Sequence, residues 1–278
     1  SIDWDQTRRI EKGLIESGSD GMVVGATTGE GPTLNHEEKI RLWSETKAAV
    51  GDTGSIVANT GNYSTAESIQ LSREAEEVGV DGLLLVVPYY NKPPQEGIYR
   101  HFKAIAESTH LPCILYNIPG RTGTKMSLET TIKVSQIDNI VGVKDATEDF
   151  ELMARVIDEA DETFKIWSGN DGDTFPLMCL GGYGVICVVA NLYAAQMKHM
   201  MDLTLSGNLF QASDEHRRLL PICKGMTGIA SNPIPIKYAM NQWGFSVGDP
   251  RLPLIPADTS MASQIDNLLG SYSVDLPI

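Results

Sequence analysis

Seven short apolar runs, separated by longer amphipathic stretches, constrain the fold of this chain more than any other feature. Each run is too short for a buried helix and predicts a strand that is covered on both faces. Strands that alternate with helices predict one parallel α/β domain. The seven runs are residues 21–26, 54–59, 82–88, 112–117, 140–144, 164–169 and 184–190.

The stretches between the runs carry helix signals. Asn35 and Ser64 are predicted to cap the N-termini of two helices, and Gly51 and Gly79 are predicted to end them. Only helical patterns follow the last apolar run. We expect these helices at residues 191–206, 208–229, 233–243 and 258–270.

A spacing of about 30 residues per strand–helix unit is typical of a (β/α)8 barrel, the TIM barrel. The chain opens with the helical pattern DWDQTRRIEKGLIESG, so the first barrel strand is predicted to be missing from this chain. We expect the barrel over residues 1–206 and a C-terminal helical region, packed on it, over 207–278. A doubly wound sheet is the alternative, but no GxGxxG motif follows any strand.

The charge and composition of the chain argue against several classes of binding partner. The chain has 36 acidic and 22 basic residues, a formal net charge of -14, which argues against nucleic acid and anionic membranes. No apolar run reaches the ~20 residues of a membrane span, and no secretory signal opens the chain. The four cysteines form no CxxC pair and the five histidines form no HxH or HxxxH pair. We therefore predict a cytoplasmic protein without a metal or another cofactor.

Lys144 ends an apolar strand, in the position where a barrel carries its active site. A dry environment lowers the pKa of an ammonium group and yields a nucleophilic amine, which condenses with a ketone to an imine. Considered alone, a lysine at a strand end is more often a residue that extends to solvent or pairs with a neighbour such as Asp145. Lys165, within another strand, is predicted to be structural.

Other strand ends carry side chains that suit the same chemistry. Tyr116 ends a strand that we place two βα units away, where its phenol could move protons, although a core aromatic is the alternative. Thr27 and Thr28 follow the first run and could hold a carboxylate, or serve only as turn residues. Arg121 could clamp a carboxylate or form a surface ion pair. Their coincidence at strand ends favours amine catalysis.

The motifs at these positions resemble those of the dihydrodipicolinate synthase / N-acetylneuraminate lyase family of class I aldolases. The resemblance covers nearly the whole chain, in order and at family spacing. The matching motifs are GATTGEGPTLNHEE, PYYNKPPQEG, YNIPGRTG, VGVKDAT, SGND, GGYGVICVVAN and NPIPIK.

The resemblance implies a catalytic set. Lys144 corresponds to the lysine that forms a Schiff base with pyruvate, and Tyr116 to the tyrosine over that imine. Thr27 and Tyr90 correspond to the other members of a proton relay, with Tyr90 reaching into the site of the neighbouring subunit.

The resemblance also implies binding residues. Thr28 corresponds to a contact for the pyruvate carboxylate, and Gly169 and Ile186 to backbone positions beside the substrate. Arg121 corresponds to the arginine that receives the carboxylate of the second substrate, aspartate semialdehyde.

Two features separate the branches of the family. The synthase branch carries paired threonines before GE and an arginine after YNxPx, as this chain does with Thr27, Thr28 and Arg121. The implied reaction is the condensation of pyruvate with L-aspartate 4-semialdehyde to 4-hydroxytetrahydrodipicolinate, in lysine and diaminopimelate biosynthesis. The alternatives are another pyruvate aldolase, such as a 2-keto-3-deoxy sugar acid aldolase or N-acetylneuraminate lyase, and a non-catalytic barrel that serves as regulator or scaffold.

The resemblance implies a homotetramer, built as a dimer of dimers, and an allosteric lysine site in some members. His36, Glu67 and Tyr89 fit the pattern of lysine-sensitive members, whereas Lys39 and Tyr63 do not. A cation at Lys39 disfavours a bound cationic lysine. We therefore predict weak or absent inhibition by lysine.

Overall fold

The computed structural model describes residues 1–277, which form two compact units. The sheet unit is Ser55–Ile186, and the terminal unit combines Ser1–Gly54 with the residues from Cys187 onwards. Each of the seven predicted runs contains a strand. The predicted helices after the last run are also present, which confirms the predicted order of elements.

In chain order the strands are β1 (Gly21–Val24), β2 (Ser55–Asn59), β3 (Gly82–Val86), β4 (Cys113–Asn117), β5 (Ile140–Asp145), β6 (Lys165–Ser168) and β7 (Gly184–Val185). The helices are α1 (Trp4–Glu16), α2 (His36–Val50), α3 (Thr65–Val78), α4 (Gln95–Ala106), α5 (Pro119–Thr122), α6 (Leu128–Ser135), α7 (Phe150–Glu159), α8 (Thr174–Cys179), α9 (Ala190–Leu205), α10 (Leu209–Gly228), α11 (Ile234–Gln242) and α12 (Thr259–Leu269). None of these helices is long and apolar enough to cross a bilayer.

The sheet unit contains β2 to β7, which pair in parallel and in sequence order. Every residue of β4 is buried, as expected for a strand that is covered on both faces. Helix α4 packs a row of apolar side chains, Ile98, Phe102 and Ile105, into the core. A spacing of three and four residues puts these side chains on one face, and burying each contributes about 1.5–3 kcal/mol.

The last strand was predicted over residues 184–190, but the observed strand β7 ends at Val185. The Asn191 and Leu192 N–H groups donate to the Val188 and Val189 carbonyls, so the chain already turns into α9. A continuous apolar run does not distinguish a buried strand from the buried start of a helix.

The terminal unit holds α1, β1, α2 and α9 to α12. Asn35 caps α2 as predicted, since its side chain accepts from the Glu38 N–H while the Glu38 carboxylate accepts from the Asn35 N–H. Gly51 ends that helix. The predicted boundary between residues 206 and 207 falls between α9 and α10, and the division into barrel and C-terminal region stays a prediction.

Candidate active site

Lys144 and Tyr116 lie side by side in the sheet unit. Their strands, β5 and β4, are neighbours, and the two residues pair directly in the register. The prediction that two units separate them was wrong, because each strand of the sheet pairs with the strand that precedes it in the chain. Lys144 Nζ lies 4.3 Å from the centroid of the Tyr116 ring, and the two residues are only 7% and 6% exposed.

Burial and two neighbouring charges set the acidity of the Tyr116 phenol. Burial raises its pKa, the Arg121 guanidinium lowers it and the Asp171 carboxylate raises it, with a net value of about 12. The phenol therefore carries its proton at neutral pH and can donate it. A proton donor and a buried amine thus meet at the carboxyl ends of two strands.

Glycine at two positions lets the strands around Lys144 pack closely. A side chain at Gly142 would collide with the Lys165 carbonyl and the Trp167 ring. The close packing of β5 against β6 therefore requires glycine at this position. A Cβ on Gly169 would lie 2.8 Å from Ala146 Cβ and 2.9 Å from the Asp145 carbonyl oxygen. The Gly169 N–H donates to that oxygen at 2.6 Å. Gly169 is therefore held directly beyond the strand end that carries Lys144.

The other predicted backbone position, Ile186, follows β7. Its N–H donates to the Ser168 carbonyl at 3.0 Å, so it continues the sheet beside the end of β6. Gly169 and Ile186 therefore lie at the same edge of the sheet as Lys144.

Arg121 lies in the short helix α5, directly after β4, and is exposed. Its charge lowers the pKa of the Tyr116 phenol, so it acts on the same region as Lys144. The loop that carries it is closed by Asn117, whose side chain accepts from the Met126 N–H at 3.0 Å. A guanidinium on an ordered loop suits a carboxylate ligand.

Tyr90 is not part of this buried group. Its side chain is 89% exposed and its φ of 71° is in the left-handed region, which is uncommon for a residue other than glycine. Its predicted role in the relay stays a prediction.

Three of the predicted lysine-site residues lie together in the sheet unit. The Tyr63 and Tyr89 rings meet edge to face at 5.2 Å. Burial is the main cause of a raised pKa of the Tyr89 phenol, and the negative charges of Tyr63 and Glu67, when ionised, raise it further. His36 and Lys39 belong to α2 in the terminal unit, where His36 is exposed and Lys39 half-buried.

Thr27 and Thr28 form a turn after β1, in the terminal unit. The Asn232 side-chain amide donates to Thr28 Oγ1 at 2.9 Å. Glu30 in the same turn accepts from Lys237 Nζ at 2.7 Å and from the Arg251 N–H at 2.7 Å. The C-terminal segments thus hold this turn in place through specific polar contacts.

Sequence reasoning missed the side chains that support the site. Asn117 and Asn232 entered only as parts of matching motifs, and Asp145 entered only as a possible ion-pair partner of Lys144. Asn117 Nδ2 lies 3.3 Å from Asp145 Oδ2, and both residues are buried. For Asn117 and Asp145 the available signal was positional: each directly follows a predicted catalytic residue and ends its strand.

The Dihydrodipicolinate synthetase family profile matches residues 1–271 of the chain. The chain belongs to this family. A relative from Dehalococcoides mccartyi, named 4-hydroxy-tetrahydrodipicolinate synthase, is 50% identical over 278 residues, which cover all of this chain and 93% of that protein.

Solved structures of the dihydrodipicolinate synthetase family have the same fold. A chloride-inhibited dihydrodipicolinate synthase from Acinetobacter baumannii, complexed with pyruvate, is 37% identical with a TM-score of 0.94 and covers 98% of this chain and 93% of that one. An enzyme from Cyanidioschyzon merolae with lysine bound is 38% identical with a TM-score of 0.94 and covers 97% and 91%.

Family membership confirms two predictions. The fold is the α/β barrel class with a C-terminal helical part, and the protein is a Schiff-base-forming lyase. The names of the relatives support the synthase branch. These names favour neither another pyruvate aldolase nor a non-catalytic barrel.

Proposed function

We propose that this chain condenses pyruvate with L-aspartate 4-semialdehyde to 4-hydroxytetrahydrodipicolinate, through a Schiff base on Lys144. The observation that carries the proposal is the buried Lys144 amine above the protonated Tyr116 phenol, at the carboxyl ends of adjacent strands. Relatives that bear the synthase name, and one bound to pyruvate, support the choice of substrates.

In the first half of the reaction, neutral Lys144 Nζ attacks the ketone carbon of pyruvate and a carbinolamine forms. Tyr116 donates its proton to the leaving hydroxyl, water departs and the imine results. Loss of a proton from the methyl group gives the enamine. The resemblance supports Thr27 and Tyr90 as the partners that return protons to Tyr116, and Thr28 with the backbone at Gly169 and Ile186 as contacts of pyruvate.

In the second half, the enamine carbon attacks the aldehyde carbon of the semialdehyde and forms the new C–C bond. The amino group of the semialdehyde then displaces Lys144 from the imine carbon, which closes the ring and restores the lysine amine. One water is released over the whole reaction. Arg121 is proposed to bind the carboxylate of the semialdehyde, because a guanidinium binds a carboxylate bidentately and an ammonium does not.

Borohydride trapping tests the proposal. Incubation with pyruvate and borohydride should attach one pyruvate-derived adduct per chain, on Lys144, as located by peptide mass spectrometry. Lys144→Ala should abolish the adduct. Lys165→Ala is the matched control, because Lys165 begins β6 and its Nζ donates to the Glu162 carbonyl at 3.0 Å. This variant should form the same adduct on Lys144 as the unmodified protein. An adduct on a different lysine, or none, would sink the proposal.

Substrate choice is the second part of that test. Arg121→Ala should raise the KM for the semialdehyde at least tenfold, with a much smaller change in the KM for pyruvate. Arg100→Ala, an exposed arginine paired with Glu96 on α4, should change neither. Equal losses for both substrates would contradict the role of Arg121. Turnover of sugar aldehydes in preference to the semialdehyde would favour a different aldolase.

The assembly and its regulation are proposed on the resemblance. A homotetramer arranged as a dimer of dimers would let Tyr90, which is exposed within one chain, enter the site of a neighbour. We propose a cytoplasmic location and weak or absent inhibition by lysine. The enzyme from Cyanidioschyzon merolae has lysine bound, and the cation at Lys39 is the reason to expect poor binding of lysine here.

A further inference from the structure

The residues that follow Tyr116 and Lys144 meet on the other face of the sheet. Successive side chains of a strand point to opposite faces, so Asn117 and Asp145 project away from the amine and the phenol. They pair in the register directly after Tyr116 and Lys144. Asn117 Nδ2 donates to Asp145 Oδ2 at 3.3 Å, and the residues are 1% and 4% exposed.

Further hydrogen bonds fix the orientation of both groups. Asn117 Oδ1 accepts from the Met126 N–H at 3.0 Å, and its Nδ2 donates to the Met126 carbonyl at 3.4 Å. Asp145 Oδ1 accepts from the Thr147 N–H at 2.9 Å and from Thr147 Oγ1 at 2.6 Å. A rotated Asn117 amide would place its oxygen against a carboxylate and a carbonyl. The pair therefore has one satisfied arrangement.

Backbone bonds extend this connection beyond the strand ends. The Ala146 N–H donates to the Asn117 carbonyl at 2.9 Å, and the Gly169 N–H donates to the Asp145 carbonyl at 2.6 Å. The ends of β4, β5 and β6 are thus joined next to the site. Because a shift of one residue would turn every side chain to the other face, fixing Asn117 against Asp145 also fixes Tyr116 against Lys144.

We infer that Asn117 and Asp145 form a register clamp that holds the Tyr116 phenol over the Lys144 amine and so sets the rate of imine formation. Both are positioning residues, which act through Tyr116 and Lys144. The inference rests on the proposed function, because it names what keeps the proposed amine and proton donor in place.

The geometry argues against a direct role for Asp145 as a base. Burial raises the pKa of its carboxyl group, while the bonds from Thr147 and Asn117 lower it, with a raised value as the net result. A raised pKa beside the Schiff-base lysine suits a base. However, Asp145 faces away from Lys144, and both of its oxygens already accept hydrogen bonds inside the protein.

Exchange of the two groups tests the register clamp. Asn117→Asp sets two carboxylates against each other, and Asp145→Asn sets amide hydrogens against amide hydrogens. The double variant N117D/D145N restores a carboxylate–amide pair with the roles reversed. It loses the long bond to the Met126 carbonyl and places a carboxylate oxygen near that carbonyl, so recovery is expected to be partial. Misplacement by about 1 Å can cost 10²-fold in rate, so we expect each single variant to form the imine 10- to 100-fold more slowly.

The readout is the rate of imine formation with pyruvate, quenched by borohydride and followed by mass spectrometry. In the single variants the maximal rate should fall while the end point stays at one adduct per chain, and the double variant should recover at least tenfold over the slower single variant. Asn139→Ala, at the position just before β5, is the matched control, and it should keep the rate of the unmodified protein. Single variants at the unmodified rate, or a double variant no faster than the slower single one, would overturn the inference.

Thr147→Val covers the case in which a single variant fails to fold. It removes one donor to Asp145 and should slow imine formation severalfold at an unchanged end point; an unchanged rate would count against the clamp. The proposed function fails separately, if the unmodified protein gives no adduct on Lys144.

Discussion

The two edges of the sheet in the sheet unit use similar polar residues in different ways. At the edge where the strands end, a buried amine and a buried phenol lie together, and an amide–carboxylate pair supports them from the opposite face. At the edge where the strands begin, amide and carboxylate side chains bind the backbone of the connecting loops. At the first edge these groups thus surround the proposed reacting groups, whereas at the second edge they satisfy loop backbone.

Asn139, just before β5, shows how the starting edge is built. Its Nδ2 lies 3.0 Å from the Ala106 carbonyl and 3.2 Å from those of Thr109 and Leu111, which closes the loop between α4 and β4. Its own carbonyl accepts from the Cys113 N–H at 2.7 Å. These bonds supply donors to the carbonyls of the loop backbone. The starting edge therefore contributes stability, as is general for this end of a barrel.

The largest effect that separates the edges is expected for Tyr116→Phe. Removal of the phenol hydroxyl should lower the maximal rate of imine formation by 10²–10⁴-fold, the range typical of a lost proton-transfer group. The melting temperature should change little, since the ring stays in place. Because the phenol pKa is about 12, the unmodified rate should show no loss from phenol ionisation between pH 7 and 10.

Tyr99→Phe is the control for that change, because Tyr99 lies on α4, where Lys133 Nζ packs over its ring at 3.7 Å. It should leave the rate unchanged. Similar losses in Tyr116→Phe and Tyr99→Phe would break the distinction between the strand ends and the rest of the unit.

Local signals in the sequence predicted most of the fold. The apolar runs located the strands. Helix α3 begins after Ser64 and ends at Gly79 as predicted, and the Ser64 side chain accepts from the Glu67 N–H. These signals are local because caps and periodicity depend on residues within a turn or two. They also placed Lys144 and Tyr116 at strand ends, and in the structure each is the last residue but one of its strand.

The remaining parts depend on contacts between distant residues. Asn117 and Asp145 are 28 positions apart, and nothing near either residue indicates that their side chains meet. The same holds for Asn139, which reaches carbonyls 28 to 33 positions away. The pairing of strands decides such contacts. The strands of Lys144 and Tyr116 were predicted to lie two units apart but are neighbours, so strand pairing was the part of the fold that the sequence predicted least well.

A smaller effect, on stability alone, is expected for Asn139→Ala. The Thr109 carbonyl would lose the donor that Asn139 provides, while the Ala106 carbonyl keeps the Thr109 N–H and the Leu111 carbonyl keeps Cys113 Sγ as donors. A lost buried hydrogen-bond partner costs about 1–3 kcal/mol in the free energy of unfolding. Urea denaturation at pH 7 measures this loss. The rate of imine formation per folded molecule should stay unchanged, and a slower rate would show that the starting edge also positions the amine.

The smallest effect concerns Glu76, an acidic residue of the starting edge. Burial raises the pKa of its carboxyl group, but bonds from Thr109 Oγ1 at 2.8 Å and from the N–H and ring of His110 outweigh burial and leave the pKa lowered. Its stabilising effect is therefore present above the unfolded pKa of about 4.3 and is lost as the pH falls through the lower folded value. Asp145, at the opposite edge, has a raised pKa, so its contribution is present at low pH and is lost as the pH rises.

The pKa of Glu76 is lowered and that of Asp145 is raised, so the dependence of stability on acid pH tests the difference between the two edges. Glu76→Gln keeps an acceptor but removes the charge, so the free energy of unfolding should decline less between pH 5 and 3 than in the unmodified protein, by about 0.5 kcal/mol. Urea denaturation across that range measures the difference, and Glu77→Gln, at the exposed neighbouring position, is the control. Asp145→Asn should not reduce the acid-induced decline, because protonation of Asp145 is already favoured in the folded state. If Asp145→Asn reduced the decline as Glu76→Gln does, the two carboxylates would not differ in the way that their surroundings require.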